Sequence, residues 1–229
     1  MIVKTCIAGI NTKVTADNKN LLKKLEPFLS DFRGEPLVSV NVTDGDVTRA
    51  MEDFSGIDRN RAAMRLFTSR FFGALPELGG FGVKGAAVSF GDRTFVIACG
   101  GEEEREAYLS DLLALPHSIK VIDDSCAAVM KNGSGYSVFG TPASVRTPLT
   151  EGRNLSGIIL PGPVQEIGAV GRKEFFDRMM LCIPVPARAE QLGAVMACID
   201  LALNSLQVSA VPEKDPAAFY SFALRGPKF

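Results

Sequence analysis

Segments with strand-like apolar patterns and segments with helix-like apolar spacing follow one another along the chain. Alternation of apolar and polar positions and short apolar runs are both typical of strands, and one or the other occurs at residues 2–10, 38–42, 83–90, 94–98, 127–130, 136–139, 156–160 and 207–211. Spacings of three and four residues predict helices at residues 20–32, 58–75, 172–180 and 187–204, with a further helix beginning near residue 103. This interleaving predicts an α/β fold, on the borderline with α+β, in which mixed β-sheets are flanked by helices.

The length and composition are those of one globular domain. The chain has 229 residues, of which 46% are hydrophobic, and this is enough for a sizeable core. No internal repeat, low-complexity tract or convincing linker divides the sequence. We therefore expect a single domain over residues 1–229, with a small β-rich part at residues 1–55 and a larger part at residues 56–229.

The net charge and the cysteine content indicate which partners and which compartment to expect. The formal net charge of −1 provides no bulk attraction to nucleic acid or to an anionic membrane. No apolar run reaches the roughly 18–20 residues needed to span a bilayer, and residues 1–5 lack the layout of a signal peptide. The five cysteines are scattered without C-x-x-C spacing, which predicts buried, reduced thiols. We expect a soluble cytoplasmic protein that binds neither nucleic acid nor membranes.

The segment that follows the strand-like run at residues 95–99 has the layout of a phosphate-binding loop. In such a loop, glycines bring backbone N–H groups to the phosphates, a Lys reaches the β and γ oxygens and a hydroxyl holds Mg²⁺. Here Gly100 and Gly101 precede three glutamates, Arg105 stands where the Lys would be, and Glu106 where the hydroxyl would be. Near a surface, each unscreened like-charge pair costs on the order of a few kcal/mol. Residues 56–229 are therefore predicted to carry a nucleotide-site-like core whose original ligand is disfavoured.

Further short motifs follow this loop along the chain. An apolar strand ends in Asp123 and Asp124, 18 positions after Arg105, and Gly140-Thr141-Pro142 comes next. Together with residues 6–10, 25–29 and 208–216, these motifs resemble the HPr kinase/phosphorylase group, which is related in fold to phosphoenolpyruvate carboxykinase. The resemblance covers nearly the whole chain and is closest to small single-domain members. It implies the mixed-sheet fold of the HPr kinase C-terminal domain and, because the group often assembles, a homo-oligomer.

The resemblance also assigns candidate site residues. In the group, the acidic pair serves Mg²⁺ binding and activation of the accepting group, which makes Asp123 and Asp124 the candidate catalytic residues. Lys84 stands where group members carry a His. Arg146 matches the Lys that often follows the Gly-Thr-Pro turn. A vestigial phosphate site would accordingly consist of Gly100, Gly101, Arg105 and Arg146.

Several of these side chains have a second interpretation. The glutamates at residues 102–104 complement the dipole of a helix N-terminus, at roughly 0.3–1 kcal/mol each. Alternatively, Glu102, Glu104 or Glu106 joins Asp123 and Asp124 in a hard-cation site, with Asp123 and Glu106 as the candidate metal ligands, because carboxylate oxygens suit Mg²⁺ or Ca²⁺. The acidic pair is otherwise a solvated strand end.

His117, the one histidine, is a surface-loop residue or else a metal ligand or general base. Four arginines on the predicted helix at residues 58–75 form either a solvated face or a surface for an anion or partner: Arg59, Arg61, Arg65 and Arg70.

Two functions stay open on these grounds. The first is a non-catalytic pseudoenzyme that binds an unknown protein or small molecule in the old nucleotide cleft and needs no cofactor. The second is an ATP-dependent phosphotransferase, such as a serine kinase, that uses ATP and Mg²⁺. It would place Arg105 or Arg146 on the phosphates and use Asp123 or Asp124 as base and metal ligand. Arg can replace Lys on a phosphate, whereas the missing glycines and hydroxyl are harder to replace. We therefore favour the pseudoenzyme.

Overall fold

The computed structural model of the chain describes residues 1–54, 56–115, 118–184 and 189–225. The strands are β1 (Ile2–Ile7), β2 (Ile10–Ala16), β3 (Val38–Val42), β4 (Gly80–Phe90), β5 (Arg93–Ala98), β6 (Lys120–Asp123), β7 (Cys126–Asn132), β8 (Gly135–Phe139), β9 (Arg153–Gly162), β10 (Gly168–Ala169) and β11 (Gln207–Pro212). The helices are α1 (Lys19–Leu25), α2 (Asp44–Asp53), α3 (Arg59–Ala74), α4 (Glu102–Leu113), α5 (Arg172–Cys182), α6 (Ala189–Ala202) and α7 (Pro216–Arg225). Short 3₁₀ turns follow α1 and α3.

Strands β1, β2 and β3 form a small mixed sheet near the N-terminus. β1 and β2 are antiparallel, and β3 joins β2 in parallel. The single strand predicted at residues 2–10 is therefore wrong, because the chain reverses at Ala8 and Gly9. Both residues have positive φ, at 55° and 75°, as a tight two-residue hairpin requires. Apolar and small residues continue through the turn from Cys6 to Ile10, so the pattern does not reveal it.

The remaining strands form one larger mixed sheet in the order β10-β11-β9-β5-β4-β7-β8, with β6 also paired to β4. β9 pairs with β8 as well as with β5, so β4, β5, β9, β8 and β7 close a ring of pairings. β5, β9 and β11 run parallel, so their carboxyl ends meet at one edge. Two mixed sheets with flanking helices confirm the predicted α/β class.

β4 changes partner at Gly85. Its first half pairs with β7 and its second half with β5. Gly85 has a φ of +154°, and a Cβ built on it would lie 2.1 Å from the Ile97 carbonyl oxygen. Only a residue without a side chain permits this bend and this close approach of two backbones.

Helices cover both faces of the strands at the centre of the larger sheet. On β5, Phe95 and Ile97 pack with α4 and α7, whereas Val96 and Ala98 pack with α5 and α6. Burial on both faces explains why β5 is an almost continuous apolar run. No described helix has both the length and the apolar character that a bilayer span requires.

The N-terminal part shares its core with the rest of the chain. Phe67 and Phe71 of α3 lie in one hydrophobic cluster with the small sheet, and this cluster also contains Cys126, Ala128 and Met130 of β7. A boundary at residue 55 therefore separates α3 from the sheet on which it packs, although the single-domain organisation itself stays a prediction.

The hydrophobic pattern of the sequence did not predict two of the helices, α2 and α7. α2 buries only Val47 and Ala50, so its apolar stripe is short, but Thr43 and Asp46 form a capping box that the residue types do announce. α7 begins at Pro216, a favourable first helical residue, after Asp215, whose carboxylate accepts from the Ala218 backbone.

The arginines of α3 hold neighbouring elements. Arg59 and Arg70 form ion pairs with Asp44 and Asp46 of α2. Arg65 lies over the ring of Phe54, 3.8 Å from its centroid. Three of the four predicted surface arginines thus have local partners, which favours the interpretation as a structural face.

Candidate functional site

The predicted strand-loop-helix unit is present. β5 ends at Ala98, Gly101 precedes the helix, and α4 begins at Glu102. β6, which ends at Asp123, pairs with β4 and runs in the same direction as β5, so both carboxyl ends lie at one edge. Two backbone bonds connect the turns through β4: Cys99 donates to the Lys84 carbonyl at 3.2 Å and Gly85 to the Ser125 carbonyl at 2.9 Å. The order of motifs in the sequence therefore corresponds to a real juxtaposition.

The space above the two loop glycines is occupied. A Cβ placed on Gly100 would lie 3.1 Å from both the Cβ and the carbonyl oxygen of Leu181, near the end of α5. A Cβ placed on Gly101 would lie 3.1 Å from the Oε2 of Glu104, whose side chain folds back over the helix start. Leu181 and Glu104 therefore crowd the Cβ side of the two glycines, which leaves less room for a phosphate held by backbone N–H groups.

Arg105 points its charge into the protein rather than into an open cleft. It is buried, its guanidinium lies 3.9 Å from the exposed Glu102 carboxylate, and its Nε has no hydrogen-bond partner among the described residues. It lies close enough to Cys99 and Cys126 to oppose the rise of their thiol pKa that burial causes. Lys84, which is half-buried, acts on Cys126 and Cys182 in the same way. Two cations thus lie beneath the loop.

Asp123 is fully enclosed, and donors surround its carboxylate. Oδ1 accepts from the backbone N–H groups of Ser125 and Cys126, both at 2.8 Å, and Oδ2 accepts from that of Thr141 at 2.7 Å. The Thr141 hydroxyl lies 3.3 Å from Oδ2 and donates to the Cys126 carbonyl at 2.7 Å. Burial raises the pKa of Asp123 to about 6, although the backbone N–H groups oppose the rise. This carboxylate joins the turn after β6 to the turn after β8.

Asp124 organises the adjoining loop. Its Oδ1 accepts from the Ser144 hydroxyl and the Val145 backbone at 2.7 Å each. Its Oδ2 accepts from the Arg146 backbone at 3.1 Å and lies 3.6 Å from the Arg146 Nε. Arg146 is therefore brought to Asp124 rather than to the glycines. The interpretation of the acidic pair as a solvated strand end is wrong, because Asp123 is 0% exposed and Asp124 is 7% exposed.

The remaining candidate residues do not converge on a cation. Glu106 is exposed on α4, and no group of three or more His, Cys, Asp or Glu side chains in the described part of the chain could hold a metal ion. A metal site at Asp123 and Glu106 stays a prediction without a supporting cluster. His117 lies outside the described residues.

No family model matches the chain. Similarly, no curated protein matches it closely enough to count as a relative. The resemblance to the HPr kinase group therefore stays a prediction.

A cavity of about 410 Å³ opens beside the loop, at the carboxyl ends of β5, β9 and β11. Ligands of open α/β sheets bind in crevices at this edge, and the volume lies within the usual range for small-molecule sites. The buried part of its wall includes Cys99, Tyr108, Leu160 and Cys182. Burial raises the pKa of Cys99 to about 12 and that of Cys182 to about 11, so both thiols are neutral at pH 7.

The rim of the cavity is charged. Glu104, Asp111, Glu213 and Lys214 are exposed and line it, and Arg178 is half-buried. The Arg178 guanidinium donates to the Pro161 carbonyl and lies 3.6 Å from the Glu174 carboxylate. The cavity therefore combines a neutral interior with a polar opening.

Sequence reasoning missed most of these lining residues. One signal was available, since Glu104, Ala107, Tyr108 and Asp111 have the i, i+3, i+4, i+7 spacing of a single helix face. The others come from β5 and the loop that follows it, from β9, from α5 and from the segment after β11. Of these segments, only the loop with Gly100 was predicted, and no short motif indicates that the rest meet there.

Proposed function

We propose that this protein is a non-catalytic member of the HPr kinase-like group that binds a small molecule in the cavity at the carboxyl ends of β5, β9 and β11. The observation that carries the proposal is the occupation of the space over Gly100 by Leu181, directly beside a cavity of about 410 Å³. The nucleotide position is closed, and a neighbouring site of ligand size is open.

The state of the acidic residues supports a non-catalytic function. A general base must reach the proton that it removes, and a metal ligand must present a free oxygen lone pair. The carboxylate of Asp123 instead binds the backbone of residues 125, 126 and 141, and that of Asp124 binds the loop at residues 144–146. The five free cysteines fit a reducing compartment, and we place the protein in the cytoplasm.

The alternative, an ATP-dependent phosphotransferase, rests on the shared edge of β5 and β6. It would need α5 to move away from Gly100 and the Glu104 side chain to leave Gly101. It would also need the two acids to give up their loop contacts.

We expect millimolar Mg-ATP or Mg-GTP to leave the melting temperature almost unchanged. Stabilisation by a ligand follows RT ln(1 + [L]/Kd), and a closed loop gives a large Kd. Differential scanning fluorimetry with and without Mg²⁺, followed by calorimetry, measures this. A rise of several degrees that is lost in Arg146→Gln, a change to a largely exposed side chain, would overturn the pseudoenzyme and favour the kinase.

A further inference from the structure

We infer that the cavity ligand is an amphipathic amine, with a protonated amino group at the rim and an apolar body inside. The inference rests on the proposed function, since it concerns the same cavity, and it goes further by naming the chemistry of the ligand.

The charges at the rim favour a cation. Three carboxylates, those of Glu104, Asp111 and Glu213, line the cavity, and none forms an ion pair with a residue of the described ranges. Of the two lining cations, Arg178 is already engaged by the Pro161 carbonyl and the Glu174 carboxylate. Lys214 therefore faces three carboxylates, and an ammonium group at the rim would be attracted rather than repelled.

The interior selects the rest of the ligand. Leu160 is 1% exposed, and the neutral thiols of Cys99 and Cys182 add further apolar surface. None of the buried lining residues carries a charge, so the apolar part of the ligand is expected at this end. Tyr108 belongs to the same wall, is 5% exposed, and its hydroxyl has no hydrogen-bond partner in the described part of the chain. A buried hydroxyl without a partner is costly, and a hydrogen-bonding atom on the inner end of the ligand would supply one.

Three probes with one shared body test the charge preference: tyramine, 4-hydroxyphenylacetate and 4-hydroxyphenethyl alcohol. They carry an ammonium, a carboxylate and a neutral hydroxyl, respectively, on the same phenol. By titration calorimetry of the full chain at pH 7 and low salt, we expect tyramine to bind about tenfold more tightly than either isostere.

Substitutions at the wall locate the two ends of the probe. Glu213→Gln and Asp111→Asn should each weaken tyramine binding about two- to fivefold and leave the alcohol unchanged. Glu103→Gln is the matched control, because Glu103 is exposed on the same helix and does not line the cavity.

Tyr108→Phe should weaken the binding of tyramine but not that of phenethylamine, which lacks the phenol oxygen. Ala107→Phe, a change to an exposed lining residue, should block all probes.

The outcomes separate the two proposals. If the acid or the alcohol binds as tightly as tyramine and Ala107→Phe abolishes that binding, the cavity is a ligand site but the inference of an amine ligand is wrong. If none of the probes binds, the inference of an amine ligand is also wrong. If Mg-ATP binds and the probes do not, the proposed function fails together with the inference.

Discussion

Asp123→Asn is expected to destabilise the protein by about 2–4 kcal/mol at pH 7.5. Both carboxylate oxygens of Asp123 accept hydrogen bonds in a site that is 0% exposed. An amide keeps one oxygen and turns an NH₂ group towards donors, so at least one buried backbone N–H loses its partner, at about 1–3 kcal/mol each. Urea denaturation monitored by circular dichroism measures the difference in the free energy of unfolding.

The same substitution should cost more at lower pH. Because burial raises the pKa of Asp123 from 3.8 to about 6, the folded protein binds a proton there more tightly than the unfolded chain does. The stability contributed by this proton is fully present below the unfolded pKa and is lost as the pH rises through 6. Asn does not titrate, so Asp123→Asn should cost roughly 1 kcal/mol more at pH 5 than at pH 7.5. A cost that instead grows with rising pH would show that the hydrogen bonds outweigh burial.

Asp92→Asn provides the control for the loss of one carboxylate. Asp92 is exposed in the turn between β4 and β5, and surface substitutions of this kind change stability by less than about 0.5 kcal/mol. If Asp123→Asn behaves like Asp92→Asn and binding of a cavity probe or of Mg-ATP changes instead, Asp123 acts in a site rather than in the fold, and the pseudoenzyme proposal has to be abandoned.

The sequence predicts where Asp123 and the glycine pair lie, but not what surrounds them. Strand-loop-helix order and the distance between motifs are local properties, and hydrophobic periodicity reports them well. The contact of Leu181 with Gly100 and the three backbone donors to Asp123 depend on which distant segments meet. A Leu near the end of a helix and a Thr in a turn carry no sign of those contacts. The catalytic interpretation of Asp123 was therefore inherited from a motif, whereas its structural function follows from hydrogen bonds that only the fold reveals.

Turns and short helices also differ in how well the sequence predicts them. The strand-like pattern of residues 2–10 shows no break at the turn, and only the conformation of Ala8 and Gly9 separates β1 from β2. α2 has too few buried positions for a periodic signal, so its capping box was the one local cue. In contrast, β5 was predicted nearly to its ends, because burial on both faces leaves it no polar position between Phe95 and Ala98.

Gly85→Ala is expected to be among the most destabilising single substitutions in the chain, at about 4 kcal/mol. A backbone with φ of +154° strains any L side chain, at about 1–3 kcal/mol, and the new methyl group meets a backbone oxygen, which cannot rotate away. Relief requires β4 to separate from β5 at Ile97, next to the turn that carries Gly100. Because the Cys99 backbone donates to the Lys84 carbonyl, this separation would also disturb the cavity wall.

Gly91→Ala is the matched control for positive φ alone. Gly91 has a φ of +59°, and a Cβ there would meet nothing within 4 Å, so its substitution should cost about 1 kcal/mol. Ala8 already adopts a φ of 55° in this protein, which shows that the fold accepts alanine in that region. Urea denaturation of both variants separates backbone strain from steric contact, and a Gly85→Ala variant that fails to fold cooperatively agrees with the expectation. Equal losses for the two variants would mean that β4 can bend without the close approach to Ile97, and that the partner change at Gly85 does not position the loop.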